Sequence, residues 1–305
     1  RYRPMAATGS VTTAPQQTAA ARLRARLEAG RPLVTPPCGD ALARGRLEDG
    51  GLDAMFMSGF AVSAHRIGAP DAGLISYGEM RDAVRDICAV TQLPVLADGD
   101  TGYGNAMNVR RTAAGYARAG AAAVMIEDQV APKRCGHTKG KLVVDRAEAV
   151  DRIRAADDAR RESGQDILII ARTDARHGHG LDEALARAEA FHAAGADILF
   201  VEAPHSEAEM RRICSELPGW KMANMVEGGA TPILPPDQLA EIGYNHAAYP
   251  LTLMSVAMRA MQEALAALRD GHPPKGLLTF EELRRLVGFN DYYDLETCYS
   301  DRRPE

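Results

Sequence analysis

The sequence predicts an α/β protein of the (β/α)8 TIM-type barrel class, and three observations carry that expectation. Eight short apolar runs recur from residue 32 onward, helix-period stretches separate most of them, and polar residues collect at the C-terminal ends of the runs. The runs cover 32–37, 54–60, 94–100, 122–129, 166–174, 196–203, 221–229 and 246–251. Between them, 146–163 and 181–194 have apolar residues three and four apart, the period of a helix with one buried face. Asp145 and Gly180 stand where the N-caps of those helices fall.

Strand–helix alternation implies parallel strands covered on both faces, and eight such units are the count of a closed barrel. An open doubly wound sheet is the rival, but it favours a GxGxxG turn after the first strand, which this sequence lacks. A short internal echo supports the repeated unit. Residues 116–127 align with 191–202: a helix end, a glycine, an apolar run and a terminal glutamate. Residues 31–305 are therefore expected to form one barrel domain. Residues 1–30 are expected to be a flexible N-terminal segment, because Arg1, Arg3, Arg22, Arg24 and Arg26 precede the first acid, Glu28. Arg-rich, acid-poor composition suits either an organelle transit remnant or a plain tail. Chloroplast or cytoplasm is the expected location.

The totals exclude other classes. A net charge of −5, with both signs interspersed, argues against a nucleic-acid binder. No apolar run reaches the ~18–20 residues of a membrane helix. The five cysteines are odd in number and form no CxxC pair, so neither a disulfide framework nor a structural zinc site is expected, and a reducing compartment fits.

A barrel of this kind places its chemistry at the C-terminal strand ends. There the sequence supplies Ser58, Asp98, Asp100, Glu127, Asp128, Arg172, Asp174, Glu202, Asn224 and Glu227. So many carboxylates on one rim repel one another unless a cation sits among them. Asp98 and Asp100, two apart, point to one side of a strand and offer the hard oxygens that suit Mg²⁺, with Mn²⁺ as a substitute. A solvated Asp-Gly-Asp turn is the alternative. Arg172 suits a substrate carboxylate through its planar fork, or an internal pair with Asp174 or Glu202. The long segment 130–143 is a lid candidate. Within it, Lys133, Arg134 and His137 surround Cys135, which makes that thiol either a proton donor or an exposed cysteine in a basic loop. His177 and His179 fit a glycine-rich turn with solvated histidines better than a metal pair.

These residues also carry a resemblance. Val95-Leu-Ala-Asp-Gly-Asp-Thr-Gly-Tyr-Gly-Asn105, Ile126-Glu-Asp-Gln129, Pro132-Lys-Arg-Cys-Gly-His137 and Ile170-Ala-Arg-Thr-Asp174 closely resemble the isocitrate lyase/phosphoenolpyruvate mutase superfamily. The likeness runs from about residue 41 to 290, with plant petal death protein and carboxyvinyl-carboxyphosphonate phosphorylmutase-like chains as its nearest look. The resemblance implies Mg²⁺ held by Asp98 and Asp100 with Asp71 and Glu127 nearby. It implies a 2-oxo acid contacted by Ser58, Gly59, Phe60, Gly136, Arg172 and Asn224, with Glu202 further out. It assigns catalysis to Lys133, Cys135, His137 and Arg172, with Cys135 protonating a departing enolate. It also implies a homotetramer, a dimer of dimers, in which helix 280–287 is swapped between subunits.

The expected activity is Mg²⁺-dependent cleavage of a C–C bond in a small 2-hydroxy diacid, such as a 2-alkylmalate or a 2-methylisocitrate-like acid, with oxaloacetate hydrolysis as a related outcome. Two alternatives stand beside it: carbon–phosphorus bond formation on a carboxyphosphonoenolpyruvate-type compound, and a non-catalytic assembly subunit. Gly102 and Gly104 offer the only anion nest near the metal acids. Phe60 replaces a small residue usual in methylisocitrate lyases, which reshapes the pocket.

Overall fold

The computed structural model describes residues 17–42, 50–135 and 140–300. Nine parallel strands form its sheet: β1 (Leu33–Thr35), β2 (Pro37–Cys38), β3 (Met55–Met57), β4 (Val95–Asp98), β5 (Ala123–Glu127), β6 (Leu168–Thr173), β7 (Ile198–Val201), β8 (Trp220–Asn224) and β9 (His246–Ala248). All eight expected runs contain strand. The first run holds two, parted by Pro36, whose missing N–H interrupts the ladder. β1 pairs with β9 and β2 with β3, so this one run joins both ends of the sheet and closes the barrel.

Period-2 alternation sorts the side chains into two apolar layers. Phe56, Leu96, Met125, Ile170, Phe200 and Met222 fill the barrel interior. Met55, Met57, Val95, Val124, Ile169 and Leu199, one position away, pack beneath the surrounding helices. Those helices are α2 (Gly59–Ile67), α3 (Tyr77–Val90), α4 (Ala106–Ala119), α5 (Arg146–Ser163), α6 (Arg176–His179), α7 (Leu181–Ala193), α8 (Glu207–Glu216) and α9 (Pro236–Ile242). Asp145 caps α5 by accepting from the Glu148 N–H, and Gly180 opens α7 with no side-chain cap. His177 and His179 are exposed on the single turn of α6.

The N-terminal expectation needs correction. Residues 19–27, placed in a flexible segment, form helix α1 (Ala19–Leu27), capped by Thr18. Ala20, Leu23 and Leu27 are fully buried among Leu33, Ala54, Ala122, Leu168 and Ile198, residues at or beside the N-terminal ends of strands. α1 thus plugs the bottom of the barrel, and each buried leucine contributes ~1.5–3 kcal/mol. The spacing i, i+3, i+7 carried the helix, but the arginines between masked it. Arg24 pairs with Asp166, Arg26 with Asp53, and Arg22 donates to the Gln92 carbonyl. Three of the five arginines behind the transit expectation therefore belong to this helix. Residues 1–16 lie outside the described residues.

Residues 257–300 belong to a second unit. Helix α10 (Thr252–Arg269) leads into α11 (Phe280–Val287) and α12 (Phe289–Ser300). Thr279 and Glu282 form a capping box on α11. The Arg284 guanidinium lies 5.6–5.8 Å from the rings of Phe280, Phe289 and Tyr293. No described side chain of α11 or α12 is buried, and Phe280, Leu283 and Val287 stand 76%, 47% and 48% exposed on one face. Among the described residues no helix is long and apolar enough to cross a membrane.

His246 is the polar exception inside the barrel. It is fully buried, its Nε2 lies 2.6 Å from Thr35 Oγ1, and its Nδ1 has no hydrogen-bond partner. Burial pushes its pKa down to about 3. An unfolded histidine titrates near ~6.5. Between those values the unfolded chain binds the extra proton, so stability is whole above about pH 6.5 and is lost as the pH falls toward about 3. Between about pH 7.5 and 5, urea titration is expected to take ~2 kcal/mol more from the native protein than from His246→Gln. Equal losses would contradict a histidine buried in its neutral form.

Candidate active site

The C-terminal strand ends converge as expected. β4 delivers Asp98, whose carboxylate accepts from the Gly59 N–H at 3.1 Å and the Asp100 N–H at 3.0 Å. The turn carrying Asp100 is left-handed there, at φ 49°. Gly99 between the two acids lies against β5: a Cβ on it would stand 2.7 Å from the Met125 carbonyl. Gly59 opens α2 behind its N-cap Ser58, and a Cβ on Gly59 would stand 2.8 Å from Asp98 Oδ2. The glycines thus let two backbones and a helix N-terminus crowd around Asp98.

Asp71, in the loop before α3, and Lys133, in the segment after β5, complete this side. The Lys133 ammonium lies 2.5 Å from Asp71 Oδ1 and 2.8 Å from Asp100 Oδ1, all three side chains being buried. Neither oxygen has an aligned hydrogen bond, and neither does Glu127 Oε1. Burial, with Asp98 adjacent, raises the Asp71 pKa against the pull of Lys133. Burial pushes Asp100 up to about 7, with Lys133 opposing and Asp98 and Asp71 adding to the rise. Burial also lifts Glu127 well above its usual range, against Arg172 and Lys133. Burial would lower Lys133, but Asp100, Asp98 and Asp71 together hold it well above its ordinary value. Four acids here carry more negative charge than the lysine offsets.

That excess, with Glu127 Oε1 buried without a hydrogen bond and two further acid oxygens sharing one ammonium, fits a further hard cation. Among the described residues no three acid, histidine or cysteine side chains form a ready cage. Mg²⁺ takes only one or two carboxylates and keeps several waters, and Asp98 and Asp100 are the pair that would hold it.

Arg172 occupies the opposite side. It lines the cavity, and it is paired internally, as the second reading expected. Its Nε and Nη2 donate to Asp174 at 2.8 and 3.0 Å, while Glu127 and Glu202 lie 3.4 and 3.5 Å away. Its guanidinium also lies 5.3 Å from the Phe200 ring centre. Burial would raise Asp174, but Arg172 and Lys141 hold it down at about 2. Asn224 donates to both Glu202 oxygens, and its own Oδ1 is buried without a partner.

Ser58, Phe60, Asp71, Asp98, Cys135, Arg172 and Asn224 line one cavity above a floor of Phe56, Met125, Phe200 and Met222. Glu202 is buried behind Arg172 and does not line it. Phe60, Asp71 and Cys135 also line the adjoining cavity beneath the segment after β5. Gly136 and His137 lie outside the described residues. Glu227 faces away and accepts from Thr252, and the glycines at 102 and 104 pack against Val109 and Asn108 of α4 instead of forming an open nest.

Sequence reasoning set Asp128 on the rim with the site acids and missed the supporting layer to which it belongs. Asp128, one residue after Glu127, points to the other face of its strand, where it accepts from Thr173 Oγ1, the Asp174 N–H and Arg187. Arg152 donates to the carbonyls of Glu127 and Gln129. Gln129 exchanges two hydrogen bonds with the Arg134 backbone, and Lys141 reaches Asp174 at 2.7 Å. The only sequence signal was that polar residues alternate with site residues at strand ends.

A parallel barrel whose mouth holds a buried acid cluster, a buried guanidinium and a cavity-facing thiol is an enzyme site for small anions. The chain belongs to the phosphoenolpyruvate phosphomutase family, which matches residues 23–269. It is 42% identical to 2,3-dimethylmalate lyase of Eubacterium barkeri over 93% of this chain and 99% of that one. Oxaloacetate acetylhydrolase, solved with the inhibitor 3,3-difluorooxalacetate, superposes with a TM-score of 0.89 at 32% identity over 93% of this chain and 97% of that one. Phosphonopyruvate hydrolase, solved with oxalate and Mg²⁺, gives 0.82 at 29% identity over 93% and 99%.

Removing the acid that anchors Arg172 and Lys141 leaves two buried cations short of a partner. Asp174→Asn is expected to cost ~3–5 kcal/mol in urea titration. A loss under ~1 kcal/mol would mean that the two cations are satisfied elsewhere.

Proposed function

We propose that this enzyme cleaves the C–C bond of a 2-hydroxy dicarboxylate of the 2-alkylmalate, dimethylmalate or 2-methylisocitrate type, releasing a 2-oxo acid and a carboxylate, with oxaloacetate hydrolysis as a side activity. The observation that carries the reading is the juxtaposition in one cavity of Asp71 and Asp98 of the acid cluster with Arg172 and Cys135. The 42% identity to a dimethylmalate lyase supports the substrate class.

In this reading Asp98 and Asp100, backed by Asp71 and Glu127, hold Mg²⁺, which when bound supplies Lewis-acid stabilisation of negative charge on substrate oxygen. Arg172 binds a substrate carboxylate with the donors that Asp174 does not use. Ser58 and Gly59 cradle the 2-oxo acid part, and Phe60 forms the apolar wall that meets the alkyl group. Asn224 positions the second carboxylate, with Glu202 holding its amide. The hydroxyl proton leaves to a carboxylate of the cluster as the C–C bond breaks. Lys133 balances the charge that develops on the enolate. Cys135, at the boundary of the two cavities, gives its proton to the enolate carbon, and the segment after β5 excludes water. His137 and Gly136 belong to the same segment.

We also read α11 as a helix exchanged with a neighbouring subunit in a homotetramer built from dimers. Support comes from the exposed stripe of Phe280, Leu283 and Val287.

The test is release of 2-oxo acid from a panel of 2-alkylmalates, 2,3-dimethylmalate and 2-methylisocitrate, with Mg²⁺ and with chelator. Mg²⁺-dependent turnover of at least one member is expected, and Cys135→Ser is expected to lower it at least ~100-fold, the scale of a lost general acid. Silence across the panel from folded protein would move the assignment to carbon–phosphorus chemistry. Full turnover by Cys135→Ser would remove the thiol from the mechanism.

A further inference from the structure

We propose that Lys141 is a positioning residue that sets Arg172 for substrate by gripping the Asp174 oxygen that Arg172 Nη2 also holds. The proposal rests on the reading of Arg172 as the substrate-carboxylate site. Three distances carry it. Asp174 Oδ2 accepts from Arg172 Nε at 2.8 Å, and Oδ1 accepts both from Arg172 Nη2 at 3.0 Å and from Lys141 Nζ at 2.7 Å. All three side chains are buried, at 9%, 0% and 2% exposure for Arg172, Asp174 and Lys141.

The charge balance gives the lysine its purpose. Around Arg172 stand Asp174, Glu127 and Glu202, three acids within 3.5 Å. With Lys141 in place two cations hold Asp174; without it Asp174 keeps only the guanidinium of this pair, which Glu127 and Glu202 also approach. Asp174 can then no longer be held as a fixed fork, and Arg172 loses the anchor that aims its remaining donors into the cavity. A buried carboxylate deprived of one of two cations is left with uncompensated charge.

The lysine is also well placed to link the site to the chain segment after β5. That segment is tied down just beside it: the Val130 N–H donates to the Leu142 carbonyl, the Val144 N–H donates to the Asp128 carbonyl, and Gln129 bridges to Val143. Asp128 in turn accepts from the Asp174 N–H. Backbone and side chain of Asp174 are therefore both held by residues flanking the segment that carries Lys133 and Cys135.

The experiment uses the intact chain with Lys141→Met, Lys141→Gln and Lys141→Arg. Crystal structures of the variants come first, because they need no substrate. The methionine or glutamine variant is expected to open the paired Arg172–Asp174 contacts, and arginine is expected to restore them. Affinity for oxalate in the presence of Mg²⁺ is then expected to fall at least ten-fold in Lys141→Met. In combination with Arg172→Lys the added loss should be less than three-fold, since both changes act through one guanidinium. Unchanged Arg172–Asp174 contacts, or losses that multiply independently, would overturn the proposal. If the native protein ignores oxalate while the contacts open in the variants, the substrate reading fails and the positioning of Arg172 by Lys141 stands.

Discussion

The structure turns on an excess of buried negative charge at one end of a parallel barrel. Asp71, Asp98, Asp100 and Glu127 converge there, and burial, with Asp98 and Asp71 adding to it, pushes Asp100 up to about 7 against the pull of Lys133. Such a cluster is costly unless cations hold it together. The molecule meets that cost with two lysines from one segment and one arginine from β6. Lys133 enters the acid cluster, Lys141 grips Asp174, and Arg172 lies between Asp174, Glu127 and Glu202. The proposed activity and the stability of the fold therefore draw on the same few ion pairs.

The remainder of the fold can be understood as support for that arrangement. The apolar interior of Phe56, Met125, Phe200 and Met222 makes a dry floor, which strengthens every charge interaction above it. Below, α1 closes the barrel with Leu23 and Leu27. Closure at Pro36 completes the ring and holds the strand ends at fixed spacing. Gly59 allows an approach of backbone to Asp98, and Gly99 an approach of the Asp98–Asp100 turn to β5, that no side chain would permit.

Much of this was legible in the sequence, and the reasons are physical. Strand ends alternate inward and outward, so Asp98, Glu127, Arg172 and Asn224 could be placed at the mouth from run boundaries alone. The same rule explains Asp128, which the sequence places beside Glu127 but whose outward direction needs the register. The internal pairing of Arg172 with Asp174 could not be decided from the sequence, because only distances separate its bound donors from its open ones. Lys141 was hidden because a lysine in a polar segment looks solvated until its partner, 33 residues away, is known. α1 was hidden for the opposite reason: its arginines dominated the composition, while only two leucines and an alanine carry its packing.

The central claim is that the acid cluster is a cation site, and thermal unfolding with and without Mg²⁺ tests it most directly. A ligand that binds only the folded state stabilises it by mass action, by ~2.7 kcal/mol at a hundred-fold excess over its dissociation constant. The native protein should melt at a progressively higher temperature as Mg²⁺ rises, with Mn²⁺ acting likewise, and Asp98→Asn should lose the response while remaining folded. A native melting temperature indifferent to either ion would contradict the account and leave Lys133 as the cluster's own sufficient counter-ion.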